Sequence, residues 1–227
     1  MTDMTRFKDR MHAGKLLARQ LLAYAHHPDA IVLALPRGGV PVGFALARAL
    51  GLELDILLVR KLGMPGHEEY AIGAVGSGGV RVLQHEAIEL SGVPPEVIDA
   101  LAARALAVIE RRERLYRGAR PPPRIAGRTV ILADDGLATG ASMRAAVAVA
   151  RDQGAARIVV AVPVGAPDSV EALAVEVDEM ACLSAPMLFR AVSQWYRIFD
   201  QTSDAEVQDL LAIAWREQLR QPATAHQ

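Results

Sequence analysis

Residues Thr129 to Met143 read Thr-Val-Ile-Leu-Ala-Asp-Asp-Gly-Leu-Ala-Thr-Gly-Ala-Ser-Met and join two opposed chemistries. Asp134 and Asp135 are acceptors for hydroxyl groups or a divalent cation, and their charge would repel a phosphate. The turn that follows, Gly136, Leu137, Ala138, Thr139, Gly140, Ala141 and Ser142, is built mainly of small residues. Backbone N–H groups in such a turn can converge on an anion, and the next helix adds its positive end. Thr139 and Ser142 supply hydroxyl donors. A vicinal diol beside a phosphate monoester satisfies both halves, and ribose 5-phosphate carries both. A helix cap would need one Asp, not two followed by Thr-Gly-Ala-Ser.

The flanking pattern explains how these residues are positioned. Val130 to Ala133 is an apolar run expected of a strand buried on both faces of a parallel sheet. Ser142 to Gln153 reads as a helix, with Gly154 at its end. In open α/β sheets, ligands bind beyond the carboxyl ends of strands. A second turn of the same kind follows the strand Ile31 to Leu35: Pro36-Arg37-Gly38-Gly39, then a helix over Phe44 to Leu50. Bare N–H groups and Arg37 suit a pyrophosphate. Alone, the turn is better explained by glycines supplying positive φ, with Arg37 in water. A third strand, Leu54 to Val59, ends at Arg60-Lys61, two cations suited to a polyanion. Strands at Arg157–Val162 and Glu179–Leu183, with a helix from Pro167 to Val175, complete an alternation that predicts a right-handed parallel sheet.

The stretch Val130 to Ser142 resembles the phosphoribosyl-pyrophosphate (PRPP) loop of the type I phosphoribosyltransferases. The Arg37 turn is similar to that family's pyrophosphate loop, and the order of parts looks most like a bacterial branch of predicted phosphoribosyltransferases. The resemblance implies an α/β fold, a central parallel sheet flanked by helices, with a helical insertion and a C-terminal hood segment. It implies a Mg²⁺-dependent transfer of ribose 5-phosphate from PRPP to a nitrogenous base, with release of pyrophosphate, in nucleotide salvage. Asp134 and Asp135 would hold the ribose hydroxyls and touch the metal, which comes largely through PRPP. Gly136 to Ser142 would hold the 5-phosphate, and Arg37, Gly38, Gly39, Arg60 and Lys61 the pyrophosphate. A non-proline cis peptide would fall at Arg37–Gly38. Members acting on 6-oxopurines commonly carry an acidic residue before Thr-Gly. Ala138 stands there instead, closer to the Leu-Ala-Thr-Gly of adenine-type enzymes.

The remaining chain supports or frames this site. With 227 residues, 52% hydrophobic and net charge −1, it suits one α/β domain and carries no overall electrostatic footprint for nucleic acid or membrane. A single cysteine, Cys182, excludes an internal disulfide or a cysteine metal site. No leader-like or membrane-spanning run is seen, so a cytoplasmic location is expected. Residues 5 to 26 read as an amphipathic helix weakened by Gly14. Leu62 to Gly79 reads as a mobile glycine-rich loop holding His67, Glu68 and Glu69, with a weak hairpin, Ala71–Val75 and Val80–Leu83. In the resembled family such a loop closes over the reacting centre.

The expected domain is a single unit with its core near residues 30–185, an insertion near 86–120 and a hood with terminal helix near 186–220. The insertion holds a helix, Pro94 to Gly118, whose basic end suits RNA, an acidic partner, a second subunit such as in a homodimer, or plain solvent. The tail, Pro186 to Phe199, is rich in aromatics; Trp195 and Tyr196 are candidates for stacking a base, or for a small satellite core. Val207 to Leu219 reads as an amphipathic helix capped near Ser203, and Gln221 to Gln227 as disordered. Two other functions fit the same residues: a PRPP-binding regulator without transferase activity that touches RNA through the arginine-rich segment, and a hydrolase or phosphorylase of a ribose phosphate.

Overall fold

The computed structural model describes residues 6–220, with the side chains of Glu69 and Arg220 outside that description, as is the segment Gln221 to Gln227. The chain opens with helix α1 (Arg10–Gln20), strand β1 (Ala30–Ala34), helix α2 (Gly39–Leu50) and strand β2 (Glu53–Ile56). Strands β3 (Val59–Met64), β4 (His67–Gly76) and β5 (Val80–Leu83) follow, then helices α3 (His85–Ser91) and α4 (Pro95–Arg117). The second half alternates: β6 (Thr129–Ala133), α5 (Ala141–Asp152), β7 (Arg157–Val164), α6 (Pro167–Ala174), β8 (Glu179–Ser184) and α7 (Asp204–Arg220).

Five strands form the parallel sheet expected from the apolar runs, in the order β2-β1-β6-β7-β8. Every residue of β1 is buried, as are Val130–Ala133 and Ile158–Val164. Helices on both faces explain this, because neither face meets water. From β1 the chain moves outward to β2, whereas from β6 it moves the opposite way to β7. The adjacent strands β1 and β6, paired Ala34 to Ala133 at their ends, therefore flank the topological switch point. A crevice opens there by geometry, and both small-residue turns lie at it.

The helices cover this sheet closely. Helix α1 is shorter than expected; Asp9 caps it by accepting from the His12 N–H at 2.7 Å. Gly14 is a packing requirement: a Cβ there would collide with the Val42 carbonyl of α2. Helix α2 begins five residues earlier than the apolar pattern indicated. Pro41 is accommodated in its first turn, where no N–H is needed.

A larger departure concerns Leu54 to Val59, read as one strand ending at Arg60-Lys61. The parallel strand stops at Ile56, and Val59 begins β3 of a separate antiparallel sheet, β3-β4-β5. Arg60 and Lys61 thus lie within a hairpin arm, not at the end of a core strand. The expected glycine-rich loop is mostly this arm: β4 runs through ten residues and pairs with both neighbours. It seats on α5, where a Cβ at Gly76 would strike Val149. Helix α4 matches the helix expected over Pro94 to Gly118 and buries Ile98, Ala102 and Ile109. Its end is pinned to the sheet by Arg117, whose Nε donates to Asp55 Oδ1 at 2.8 Å; both side chains are almost fully buried. No helix among the described residues is long and apolar enough to cross a membrane.

Candidate functional site

Strand β6 delivers Asp134 and Asp135 to the crevice, and the β1 turn closes on them. Cβ atoms at Gly38 and Gly39 would run into the Asp135 carboxylate and into the Ala133 carbonyl and Asp134 Cα. Gly38 has ordinary helical dihedrals, φ −59° and ψ −31°. Its requirement is therefore room for the acidic pair, not positive φ. The cis peptide lies at Pro36–Arg37, one residue before the expected Arg37–Gly38.

Asp134 Oδ1 accepts the Asp135 N–H at 2.8 Å. Burial holds the Asp134 carboxyl well above the usual carboxylate range, and the adjacent Asp135 charge adds to this. Burial raises Asp135 as well, opposed by Arg10. Arg10, from the first turn of α1, donates from Nε to Asp135 Oδ2 at 2.8 Å. Its NH1 donates to the Asp200 carbonyl at 2.7 Å, and its guanidinium lies 3.8 Å from the Phe199 ring centroid. Sequence reasoning missed Arg10. The pair is separated by 125 positions, and no local pattern announces it.

Beyond the acidic pair, the small-residue turn has the form of an anion nest. The Leu137 N–H is taken by Val164, and the Leu137 side chain is buried as an anchor. The N–H groups of Ala138, Thr139 and Gly140 make no hydrogen bond within the described residues. Gly140 starts α5 at φ +76°, a conformation that favours glycine. Thr139 and Ser142 are exposed, and Ser169 fixes the turn from outside by donating to the Ala138 carbonyl at 2.6 Å.

The cationic residues lie across the mouth of the crevice. Arg37 NH1 is 3.7 Å from Asp204 Oδ1 at the start of α7. Arg60 and Lys61 line a cavity of about 710 Å³ that meets the two site turns at Pro36 and Ser142. Its opposite wall is α4. His67 and Glu68 are exposed on the hairpin, and Glu68 borders the cavity.

The aromatic tail divides. Tyr196 is 3% exposed, its ring packed 5.4 Å from Phe7 and 5.0 Å from Phe199 between centroids. Neither arrangement leaves it a face for a base, so the expectation of stacking is corrected to a satellite core. Its hydroxyl instead donates to the Asp135 carbonyl at 2.6 Å. Trp195 is half-buried beside it, with an indole N–H that is buried and unpartnered among the described residues. The Phe7 N–H bonds to the Trp195 carbonyl, and the Arg197 N–H to that of Phe7. The amino-terminal segment and the tail thus pack as one small unit.

Among the described residues, no group of three or more His, Cys, Asp or Glu side chains could hold a metal. Asp134 and Asp135 alone, with Arg10 on one of them, do not make a cage. They suit only a cation that brings ligand oxygens with it, as Mg²⁺ does.

Comparison with known proteins gives the same picture. The profile of the phosphoribosyl transferase domain matches residues 5–187. Rv0571c of Mycobacterium tuberculosis H37Rv, whose name assigns it provisionally to the phosphoribosyl transferases, is 45% identical over 214 residues. That match takes in 94% of this chain and 48% of the relative, so the chain spans about half the length of the curated relatives it matches. The crystal structure of TT1426 from Thermus thermophilus superposes with a TM-score of 0.84 at 46% identity, over 91% of this chain and 98% of that one. With the acidic pair, the glycine turn and the small-residue turn gathered at one switch point, the chain belongs to the phosphoribosyl transferase domain family.

Proposed function

We propose that this chain transfers the ribose 5-phosphate of PRPP to a nitrogenous acceptor and releases pyrophosphate. The observation that carries the reading is the contact of Gly38 and Gly39 with Asp134 and Asp135 at the β1/β6 switch point. It supports reading the acidic pair as a diol acceptor that shares one crevice with an anion nest and a cationic turn.

The N–H groups of Ala138 to Gly140, with the start of α5, take the 5-phosphate and anchor one end of the sugar. Asp134 and Asp135 accept the ribose hydroxyls. A carboxylate has about four lone-pair sites, so the Arg10 bond leaves Asp135 able to accept. Arg10 acts as a positioning residue: it fixes the Asp135 carboxylate and favours its charged form. Arg37, Arg60 and Lys61 draw the pyrophosphate, and Arg37 exchanges its weak, exposed contact with Asp204 for the ligand.

In the reaction, the C1–oxygen bond breaks and its electron pair leaves with pyrophosphate. The acceptor nitrogen bonds to C1, and its proton passes to water. The sugar carries positive charge in between, so positioning and leaving-group stabilisation supply most of the rate. Asp134 and Asp135 would be the residues beside Mg²⁺, and the ion would supply neutralisation of part of the leaving charge.

The test is pyrophosphate release from PRPP across purine, pyrimidine and other nitrogenous acceptors, with and without Mg²⁺. Turnover on one acceptor is expected. PRPP binding with no turnover on any of them, joined to salt-dependent RNA binding, would favour the regulator instead.

A further inference from the structure

We infer that the inserted helix α4 is a second anion-binding wall of the site, and that Arg104 and Arg112 grip the pyrophosphate of the donor. This rests on the transferase reading above and extends it to residues outside the family loops.

The cavity is the first ground. Its volume of about 710 Å³ is closed on one side by Arg60 and Lys61 and on the other by α4. The face that α4 turns to it runs Leu101, Arg104, Ala105, Val108 and Arg112, a helical stripe with an arginine near each end. Eight residues separate the arginines, roughly 12 Å along the helix. Among the described residues, Glu68 is the carboxylate of the lining, beside Arg60, Arg104 and Arg112.

The second ground is charge that finds no partner. Arg60, Arg104 and Arg112 make no ion pair among the described residues. The acidic residues of α4 do not answer them. Glu113 is bonded to Arg117 NH1 at 2.7 Å, and Glu110 borders a different hollow, with Arg114 and Gly118. Neither of them lines the cavity.

The third ground is placement. The Tyr116 hydroxyl, about one helical turn along α4 from Arg112, donates to Asp204 Oδ1 at 2.6 Å. Arg37 lies against that same oxygen. Arg112 and Pro36 of the pyrophosphate turn line the same cavity. The buried Arg117–Asp55 pair ties this end of α4 to the strand edge, so the wall is fixed relative to the turn.

Calorimetric titration of inorganic pyrophosphate and, separately, of ribose 5-phosphate tests this on the wild type, Arg104→Ala, Arg112→Ala and the double variant. Both arginines are exposed, so folding should be retained, and thermal melts verify it. Each single change should weaken pyrophosphate about tenfold, and the double change by more, with ribose 5-phosphate unaffected. Arg111→Ala, an exposed change on the same helix that does not line the cavity, should alter neither. Unchanged pyrophosphate affinity in the double variant overturns the inference, as does an equal loss for both ligands. A wild-type protein that binds neither ligand defeats the transferase reading itself.

Discussion

The sheet edge and the hairpin–α4 arm face the same crevice but are built on different physics. At the sheet edge there is almost no free space. Gly38, Gly39, Asp134 and Asp135 touch one another, and both carboxyls are raised by burial. Across the cavity, the arm presents exposed cations, Arg60, Arg104 and Arg112. The edge is shaped by close approach and the arm by exposed charge. Substitutions at the edge should therefore fail abruptly, whereas those on the arm should fail by degrees and with salt dependence.

The largest effect is expected at Gly38→Ala. The added methyl would occupy the place of the Asp135 carboxylate and push the two turns apart. Displacement on that scale costs roughly a hundredfold or more in kcat/KM for PRPP. Steady-state kinetics would show it, and near-normal kinetics would break the contrast between a packed edge and a tolerant arm.

Arg10→Gln comes next. Arg10 opposes the burial that raises Asp135, so its removal raises that carboxyl further. PRPP affinity should fall about tenfold near neutrality. Its loss on acidification should also begin at a higher pH than in the wild type. The groups facing Asp135 are Arg10, Asp134 and Tyr196, and of these only Arg10 is a cation. Arg10→Lys should recover part of the pH shift. A uniform loss of affinity with no change in pH profile would mean that Arg10 only braces the fold.

These two sites mark what could be read from the sequence. The acidic pair and its turn were legible because their residue types alternate in a way that ordinary strand–turn–helix units do not require. The sheet was legible through its doubly buried strands. The break at Leu57-Leu58 was hidden, because both residues are buried and continue the apolar run from Ile56 to Val59 without a turn signal. That concealed the transfer of Arg60 and Lys61 to the arm. The partnership of Arg10 with Asp135 and the burial of Tyr196 arise from contacts between chain ends, which leave no trace in local spacing. The aromatic density of the tail was visible, but whether it packs or binds was not.

A smaller effect, and one of opposite sign, is expected for Asp134→Asn without ligand. The folded carboxyl ionises at higher pH than the unfolded one. The folded state therefore binds more protons between the unfolded value, near 3.8, and the raised folded value. Stability falls as pH climbs through that window and stays lower above it. Asparagine keeps an oxygen for the Asp135 N–H and carries no charge. The variant should gain on the order of 1 kcal/mol at neutral pH, the gain vanishing below about pH 4. Melting temperatures measured across this range give the sign directly.

Tyr196→Phe should have the mildest consequence, and it separates packing from binding within the hood. Phenylalanine keeps the ring between Phe7 and Phe199 and removes only the hydroxyl on the Asp135 carbonyl. The expected loss is about 1 kcal/mol of stability. Trp195 provides the contrast, since its ring is half-exposed and its N–H unpartnered among the described residues. Trp195→Ala should raise the acceptor KM more than that for PRPP, while Tyr196→Phe should leave their ratio unchanged. If the tyrosine variant alone altered the acceptor KM, the buried ring would have to turn outward during the reaction. The hood would then be a moving part rather than a fixed extension of the packed edge.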